Sequence, residues 1–241
     1  ARPAEGATLT VTATVTDQAG NVSAPGSDNA TVGTTATAAP IVTLTTDANN
    51  EKRLGKAERG APGAVAVTKK KPAGALAGDT LTVSDGTTSQ DIVLTAAHIS
   101  AGSVDTSVAR PAEGATLTVT ATVTDQAGNV SAPGSDNATV DTTATAAPSV
   151  TISSDANNDQ LLSNAELGAA TSVAVTIGLP AGAVAGDTLT VTDGTTPQVI
   201  VLTQPQIDAG NVAVTVARPA EGAALTVTAT VTDQAGNVSA P

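Results

Sequence analysis

The stretch that decides the fold is ATLTVTATVTD, residues 115–125. Apolar side chains alternate there with threonine in a strict period of two, which predicts a β-strand with one buried face and one threonine face. The apolar members are Leu117, Val119, Ala121 and Val123. The loop DQAGN at 125–129 follows and predicts a hairpin into a second strand over 130–140.

Short strands of the same kind recur on the N-terminal side of this hairpin. They are predicted at 42–46, 65–68, 79–85, 90–95 and 103–108, separated by turn residues and without helical periodicity. Together with the hairpin they make seven short strands in about 100 residues, which is typical of an immunoglobulin-like β-sandwich. The predicted fold class is therefore all-β, with tandem immunoglobulin-like domains in an extended array.

The chain repeats itself with a period of 108 residues. Residues 1–32 recur letter for letter as 109–140, and the phrase returns at 217 with Ala224 in place of Thr116. Such a unit is longer than a solenoid turn of roughly 20–50 residues and has the size of a small domain. The sequence therefore predicts whole domains in series.

The repeat also places the domain boundaries. Two segments, 34–40 and 142–148, lack apolar alternation and end in proline, and they are predicted linkers. A complete domain is predicted at 41–141 and a second, without its last strand, at 149–241. Residues 1–33 would be the C-terminal hairpin of a preceding domain. Two explanations stay open: truncation at the ends, or donation of the orphan strand of one copy to the open domain of another.

Composition limits the classes of function. The 241 residues include no Phe, Tyr, Trp, Met or Cys although 40% are hydrophobic. A core of Val, Ala, Leu and Ile suits a thin β-sandwich and offers little for a catalytic pocket. The single histidine, His98, corresponds to Gln206 in the next repeat, so no nucleophile–base pair recurs. We expect no enzyme, and no run of residues has the length of a membrane span.

The charge is strongly acidic, with 22 acidic and 10 basic residues and a net charge of −12. Such a surface repels nucleic acid and anionic membranes and attracts cations, so neither nucleic acid nor membrane insertion is expected. Seven basic residues fall within 52–71. They are Lys52, Arg53, Lys56, Arg59, Lys69, Lys70 and Lys71. The lysine run 69–71 is predicted to be either a partner-binding patch or a solvated loop.

The segment DANNDQLLSNAE at 155–166 has the spacing of a Ca²⁺ loop. Its oxygen donors at loop positions 1, 3, 5, 9 and 12 are Asp155, Asn157, Asp159, Ser163 and Glu166. Gln160 stands where the sharp-turn glycine is expected, and a strand precedes the loop. The alternative is a polar loop in which Asx turns satisfy the backbone. Both interpretations stay open.

The earlier copy of this loop carries extra positive charge. Its oxygen donors are Asp47, Asn49, Glu51 and Glu58, and four of the basic residues named above surround them. Because cations repel Ca²⁺, we expect this copy to bind calcium less well, or to form internal salt bridges instead.

Sandwich topology predicts a second kind of cation site at the junction around 142–148. Loops from both flanking domains would meet there. The residues are Glu113, Asp141, Asp187, Asp233 and Asn237, with the loop of Asp47. Converging carboxylates repel one another unless a cation lies among them, and Ca²⁺ would stiffen the joint. The alternative is solvated end loops. Gly33 takes the place of Asp141 at the first junction, which should bind less well and bend more.

Three motifs, in this order along each repeat, resemble a known family. They are AGDTLTVTDGTT (185–196), ATLTVTATVTDQAGNVS (115–131) and VDTTATAAP (140–148). They resemble the bacterial immunoglobulin-like tandem repeats of large type I-secreted surface adhesins, including biofilm-associated proteins. The resemblance implies an extracellular spacer at the bacterial cell surface, stiffened by Ca²⁺ and linked to neighbouring repeats.

Two other functions remain open from the sequence. One is a binding module, in which the basic 52–71 segment or a threonine face recognises a glycan, ice or a protein. The other is a subunit of a surface filament that assembles with copies of itself through the incomplete terminal strands.

Overall fold

A computed structural model describes residues 3–58 and 63–241 of the chain, so Arg59 of the basic segment lies outside the described residues. The elements are strands with three short helices, α1 (Ala96–Ala101), α2 (Asn164–Leu167) and α3 (Gln204–Ala209), and a 3-10 turn at Lys56–Glu58. The strands are β1 (Thr8–Ala13), β2 (Gly26–Thr31), β3 (Ile41–Leu44), β4 (Arg53–Leu54), β5 (Ala64–Lys70), β6 (Thr80–Ser84), β7 (Ser89–Val93), β8 (Ser103–Ala109), β9 (Thr116–Thr124), β10 (Gly134–Val140), β11 (Ser149–Ile152), β12 (Ser172–Gly178), β13 (Thr188–Thr192), β14 (Gln198–Val201), β15 (Asn211–Ala217) and β16 (Thr228–Thr232).

The chain groups into two compact units. Unit 1 comprises Ala1–Thr45, Ala66–Ala109 and Thr118–Asn137; unit 2 comprises Thr46–Val65, Arg110–Leu117 and Ala138–Pro241. The domain boundaries derived from the repeat stay a prediction.

Unit 2 contains a β-sandwich made of two three-stranded sheets. One has the order β11-β12-β15 and the other β14-β13-β16, all in antiparallel pairs. Alternate residues of both sheets meet in one apolar cluster, in which Val175, Ile177, Leu189, Val191 and Val231 are fully buried. Only aliphatic side chains fill it, as the composition predicts.

Unit 1 repeats this pairing. Strands β3, β5 and β8 form one sheet in that order, while β6 pairs antiparallel with both β7 and β9. Strands β3, β5 and β8 thus share one sheet, and β4, β10, β9, β6 and β7 form the other in that order. This is the immunoglobulin-like arrangement, and the all-β prediction is confirmed.

The deciding stretch folds as its alternation predicts. Strand β9 covers Thr116–Thr124, and its four apolar side chains are buried. The predicted partner strand begins later, at Gly134 instead of 130, with only an isolated bridge between Thr124 and Val130. Pro133 lacks a backbone N–H, and the Ser131 hydroxyl accepts a hydrogen bond from the Val123 N–H at 2.9 Å, which delays regular pairing.

The short helices were not predicted because four to six residues carry no apolar period. Their start signal is a capping box. At α1 the Thr95 N–H donates to His98 Nδ1 at 3.2 Å; at α3 the Thr203 N–H donates to Gln206 Oε1 at 2.9 Å. The lone histidine therefore closes a helix terminus, and glutamine closes it in the next repeat.

The lysine run is not a loop. Lys69 and Lys70 belong to β5, and Lys69 is 1% exposed, at the position that Ile177 occupies in the next repeat. Both predictions for the run, a patch or a solvated loop, are therefore wrong at Lys69. Its ammonium donates to the Thr106 hydroxyl. Burial lowers the pKa of Lys69 to about 8, against a smaller opposing effect of the Asp105 charge.

We predict that the unfolding free energy of the chain rises between pH 8 and pH 10.5. Below pH 8 the buried ammonium destabilises the folded state fully; between the two pKa values only the unfolded chain holds the proton, so raising the pH removes the penalty. The total rise should be about 3 kcal/mol. Lys69→Ile should abolish it and stabilise the protein at pH 7, as measured by urea unfolding across pH.

Lys70→Ile is the matched control, because Lys70 is the exposed neighbour on the same strand. It should leave the pH dependence in place. An equal loss of pH dependence in both variants would contradict the assignment to Lys69.

Candidate cation sites in the loops and junctions

The predicted Ca²⁺ loop at 155–166 is ordered by its own side chains. Asp155 Oδ1 accepts from the Asp159 N–H at 3.1 Å, and Oδ2 accepts from the Gln160 N–H at 2.9 Å. Asn157 Nδ2 donates to Asp159 Oδ2 at 2.9 Å. Asp155 therefore folds the chain back on itself in an Asx-type turn.

Glu166 closes this loop as part of a capping box. Its Oε2 accepts from the N–H and hydroxyl of Ser163 at 2.9 and 2.7 Å, and its Oε1 accepts from the Ala156 N–H at 3.1 Å. Donation from Ser163 lowers the pKa of Glu166. These bonds are the ones that the polar-loop interpretation expects, and calcium binding by this loop stays a prediction.

The sharp turn forms without a glycine. Gln160 has φ of 67° and Asn158 has φ of 57°, both in the left-handed region. The earlier copy does the same with Lys52 at 66° and Asn50 at 57°. Asparagine tolerates this region, but glutamine and lysine are strained there.

The earlier copy has the same conformation with different charges. Asp47 is buried and accepts from the N–H groups of Glu51 and Lys52, both at 3.0 Å. Glu58 accepts from the Ala48 N–H at 3.1 Å, as Glu166 does from Ala156. Asn49 Oδ1 is 3.3 Å from the Glu51 nitrogen. Asp47 and Asn49 therefore bond within their own loop.

Asn237 holds the predicted second junction together. Its side chain is buried, and Nδ2 donates to the Asp141 carbonyl at 2.8 Å and to Asp233 Oδ2 at 2.9 Å. Its Oδ1 accepts from the Lys56 N–H at 2.7 Å. One amide therefore joins the linker, its own loop and the 3-10 turn within unit 2.

Carboxylates gather beside this amide. Burial raises the pKa of Asp141, and the nearby Asp233 charge raises it further. Arg53 opposes this shift, with Nη1 at 3.4 Å from Asp141 Oδ2. Arg53 thus makes the kind of internal ion pair that the sequence left open.

Asp187 is the most buried carboxylate of the cluster. It is 1% exposed; Oδ2 accepts from the Val184 N–H at 3.0 Å, while Oδ1 is buried without a hydrogen-bond partner. Burial raises the pKa of Asp187, and the Asp233 charge adds to the rise. A buried carboxylate oxygen without a partner is costly, and a cation would satisfy it.

Glu113 fastens the start of the linker. Its Oε1 accepts from the Thr142 N–H at 2.9 Å and Oε2 accepts from the Thr142 hydroxyl at 2.8 Å. These bonds, led by the hydroxyl, lower the pKa of Glu113. Its charge also raises the pKa of Asp141, so Glu113 belongs to the same electrostatic cluster.

Sequence reasoning missed the contribution of residues 55 and 56 to this junction. A Cβ on Gly55 would overlap the carbonyl of Ala235, so only glycine allows this approach. The next residue, Lys56, contributes through its backbone N–H, which no residue type would reveal. The signal available was the glycine itself, because the next repeat has Ser163 at the corresponding position.

The first junction, in unit 1, repeats the central bond. Asn129 Nδ2 donates to the Gly33 carbonyl at 3.1 Å and to Asp125 Oδ2 at 2.8 Å. The amide and its linker carbonyl are 96 residues apart in both cases. A Cβ on Gly33 would come within 3.2 Å of the Ala127 Cβ, so a side chain there needs only a small adjustment.

Across residues 3–58 and 63–241, no group of three or more His, Asp or Glu side chains is close enough to hold a metal ion. The carboxylates of Glu113, Asp141, Asp187 and Asp233 would therefore have to move closer together to bind a cation. None of the helices in the described part of the chain is long and apolar enough to cross a membrane.

No protein-family model and no curated protein matches the chain. Solved structures of similar fold include one of a 1.5-MDa bacterial ice-binding adhesin (22% identity, 97% of this chain, 71% of that chain, TM-score 0.44). Another is a tetra-tandem repeat from the extending region of a large adhesion protein (22% identity, 96% of this chain, TM-score 0.34), of which this chain spans 54%. A third holds the fibronectin(III)-like modules of Clostridium thermocellum CbhA (12% identity, 83% of this chain, 90% of that chain, TM-score 0.45).

We predict that Gln160→Gly stabilises unit 2 by about 0.5–1 kcal/mol. Glycine removes a left-handed strain of about 1–2 kcal/mol and costs about 0.5–1 kcal/mol in chain entropy. Leu161→Gly is the control, because Leu161 is exposed and has no positive φ, so only the entropy cost applies. Thermal unfolding of both variants checks the prediction; a Gln160→Gly protein less stable than the parent would contradict it.

Proposed function

We propose that this chain belongs to the spacer region of a large bacterial surface adhesin. It is an extracellular, non-catalytic series of immunoglobulin-like repeats that holds an adhesive part away from the cell and supports biofilm formation. Its partners are the neighbouring repeats of the same protein.

The repeated junction carries this proposal. A spacer must hold each repeat in a fixed orientation relative to the next. Its joints therefore need a fixed geometry as much as its domains do. In both junctions an asparagine of the DQAGN loop donates to a linker carbonyl 96 residues earlier. If each repeat bound a ligand, the residues of its binding site would recur from one repeat to the next. The charged residues are instead among those that differ between the repeats.

Calcium is the proposed stiffening ion at the second junction. Ca²⁺ prefers carboxylate and carbonyl oxygens. The partnerless Asp187 Oδ1 and the repulsion among Asp141, Asp187 and Asp233 favour a cation there. When bound, the ion would supply positive charge and hold these oxygens together; Asn237 keeps the linker in place.

Arg53 competes for the same negative charge. Its guanidinium contacts Asp141, whereas the next repeat has Leu161 at the corresponding position. A partly exposed ion pair of this kind contributes about 0–1 kcal/mol, less than a bound divalent ion can. Removing Arg53 should therefore strengthen calcium binding.

We predict that millimolar Ca²⁺ raises the melting temperature of unit 2, and that Asp141→Gly lowers this response. Asp141→Gly gives the second junction the residue of the first. Gly33→Asp should produce a new response in unit 1, and Arg53→Leu should enlarge the response of unit 2. Calorimetric melting with and without EDTA measures all four proteins, and small-angle scattering should show a narrower spread of molecular lengths with calcium.

Asp193→Asn is the control, because Asp193 lies at a hairpin turn, where it accepts hydrogen bonds from Thr195, and does not belong to the group of Asp141, Asp187 and Asp233. It should leave the calcium response unchanged. If calcium changes neither the melting temperature nor the scattering profile of the parent protein, calcium stiffening is refuted. If scattering shows a compact particle instead of an extended one, the spacer function is refuted.

A further inference from the structure

One side of the sandwich in unit 2 is bounded by two strand edges. Strand β14 lies at the end of the sheet β14-β13-β16, and β15 lies at the end of β11-β12-β15. The Gln198 side chain joins them, since its Nε2 donates to the Thr215 carbonyl at 2.7 Å. We call this surface, made of Gln198–Val201 and Asn211–Ala217, the β14–β15 edge. Among the described residues, no strand pairs with the outer side of β14.

The corresponding strands are also edges in the preceding repeat. There β7 ends the order β4-β10-β9-β6-β7, and β8 ends the order β3-β5-β8. The first of these sheets includes β10, and β7 is still its last strand. The open edge therefore belongs to the fold of the repeat and recurs at β14.

Strand β14 presents two valines to solvent. Val199 is 66% exposed and Val201 is 63% exposed, while Ile200 between them packs against the apolar cluster of unit 2. The backbone groups of an edge strand that point away from its sheet have no partner in that sheet, and β-branched side chains favour strand pairing. An apolar edge of this kind is a template for pairing with another chain.

In the preceding repeat, both edges carry an exposed carboxylate. Asp91 of β7 stands where β14 has Val199, and its Oδ1 accepts from the Thr82 hydroxyl at 2.7 Å. Asp105 of β8 stands where β15 has Ala213. Charges on an edge strand oppose pairing with strands of other molecules. The β14–β15 edge contains no charged residue, so the same edge is protected in one repeat and unprotected in the other.

The charge of the chain indicates which partner suits this edge. The net charge is −12, so two copies repel each other over most of their surfaces. A basic partner would find no carboxylate to bind on the β14–β15 edge. A second acidic copy can approach this edge without placing like charges opposite each other. The absence of charge therefore favours a second copy of the chain over a partner of opposite charge.

We propose that β14 pairs antiparallel with β14 of a second copy of the chain. The contact is isologous, because the same residues meet on both sides of a two-fold axis. With Ile200 opposite Ile200, each Val199 lies opposite Val201 of the second copy, and all four valines share one face. The two three-stranded sheets then form one continuous sheet, in which the outward backbone groups of β14 gain partners.

The length of β14 limits the strength of this contact. Pro197 precedes the strand and lacks a backbone N–H, so regular pairing ends there. Four residues from each copy bury less than the roughly 1,200 Å² of a stable interface, so the association is weak and reversible. An isologous contact also closes on itself, and assembly through β14 alone stops at the dimer.

Sedimentation velocity of the 241-residue chain, from about 10 µM to about 1 mM, covers the range of such a weak contact. EDTA is present, so that the outcome does not depend on calcium binding. In about 0.15 M salt, which screens the repulsion between acidic copies, the mean mass should rise with concentration towards that of a dimer.

Val199→Asp should weaken this association at least tenfold, because it gives β14 the carboxylate of β7. The variant should keep its fold, since Thr190 lies beside position 199 as Thr82 lies beside Asp91. Ala174→Asp is the matched control. It adds the same charge at an exposed position of β12, which has a strand on each side, and should change association less than threefold.

Two further measurements follow from the same contact. Asp91→Val removes the carboxylate from β7 and should extend assembly beyond the dimer, because each chain then has two unprotected edges. Amide exchange should show β14 better protected at high concentration than at low concentration. This difference should persist in Ala174→Asp and disappear in Val199→Asp.

Three outcomes would overturn the proposal. A parent chain that stays monomeric over the whole concentration range would exclude the second copy as the partner. Association that Val199→Asp and Ala174→Asp weaken equally, or not at all, would exclude β14 as the contact. Protection of β14 that is independent of concentration would show that the edge is covered from within the same chain.

Discussion

A core built without aromatic side chains depends on every strand of its sandwich. Valine, leucine and alanine reach only a short distance from the sheet, so each strand must be covered by its neighbours for the apolar face to leave water. The repeat that contains β10 shows this: Leu54 pairs with Val140 of β10, and Leu54 and Leu117 are both buried. Completeness of the sheet, more than any single contact, sets the stability of this fold.

The junctions extend the same dependence from one repeat to the next. Asn237, the asparagine of one DQAGN loop, is buried because the linker, the loop and the 3-10 turn at Lys56–Glu58 meet over it. The contact is made by backbone carbonyls and N–H groups, so it tolerates changes in the side chains around it. The charges nearby can therefore vary between repeats, with Gly33 at one linker and Asp141 at the other, while the geometry of the joint persists.

The strands were predictable because their burial follows a period of two, as in β9, and the domain length followed from the repeat. What the sequence could not give depends on spatial partners. Lys69 lies in a strand whose apolar members are buried, yet charge alone suggested a surface patch; its acceptor Thr106 is 37 residues away. The junction contact of Lys56 uses only its backbone. For the 155–166 loop the spacing of oxygens fits a Ca²⁺ loop, but the same carboxylates also satisfy the loop backbone, so calcium binding there stays a prediction.

Identical strands in series carry a cost that follows from the completeness requirement. If β10 fits its place beside β4 and β9, any other copy of GSDNATV, such as residues 26–32, fits the same place. The domain can then distinguish its own strand from another copy only through the covalent connection. A strand joined to its own domain has a much higher effective concentration than one from another molecule. Divergence at 52–59 and at 69–71 does not alter the strand GSDNATV. The repeats have therefore diverged where cations meet the loops and core while the strands that could exchange stay alike.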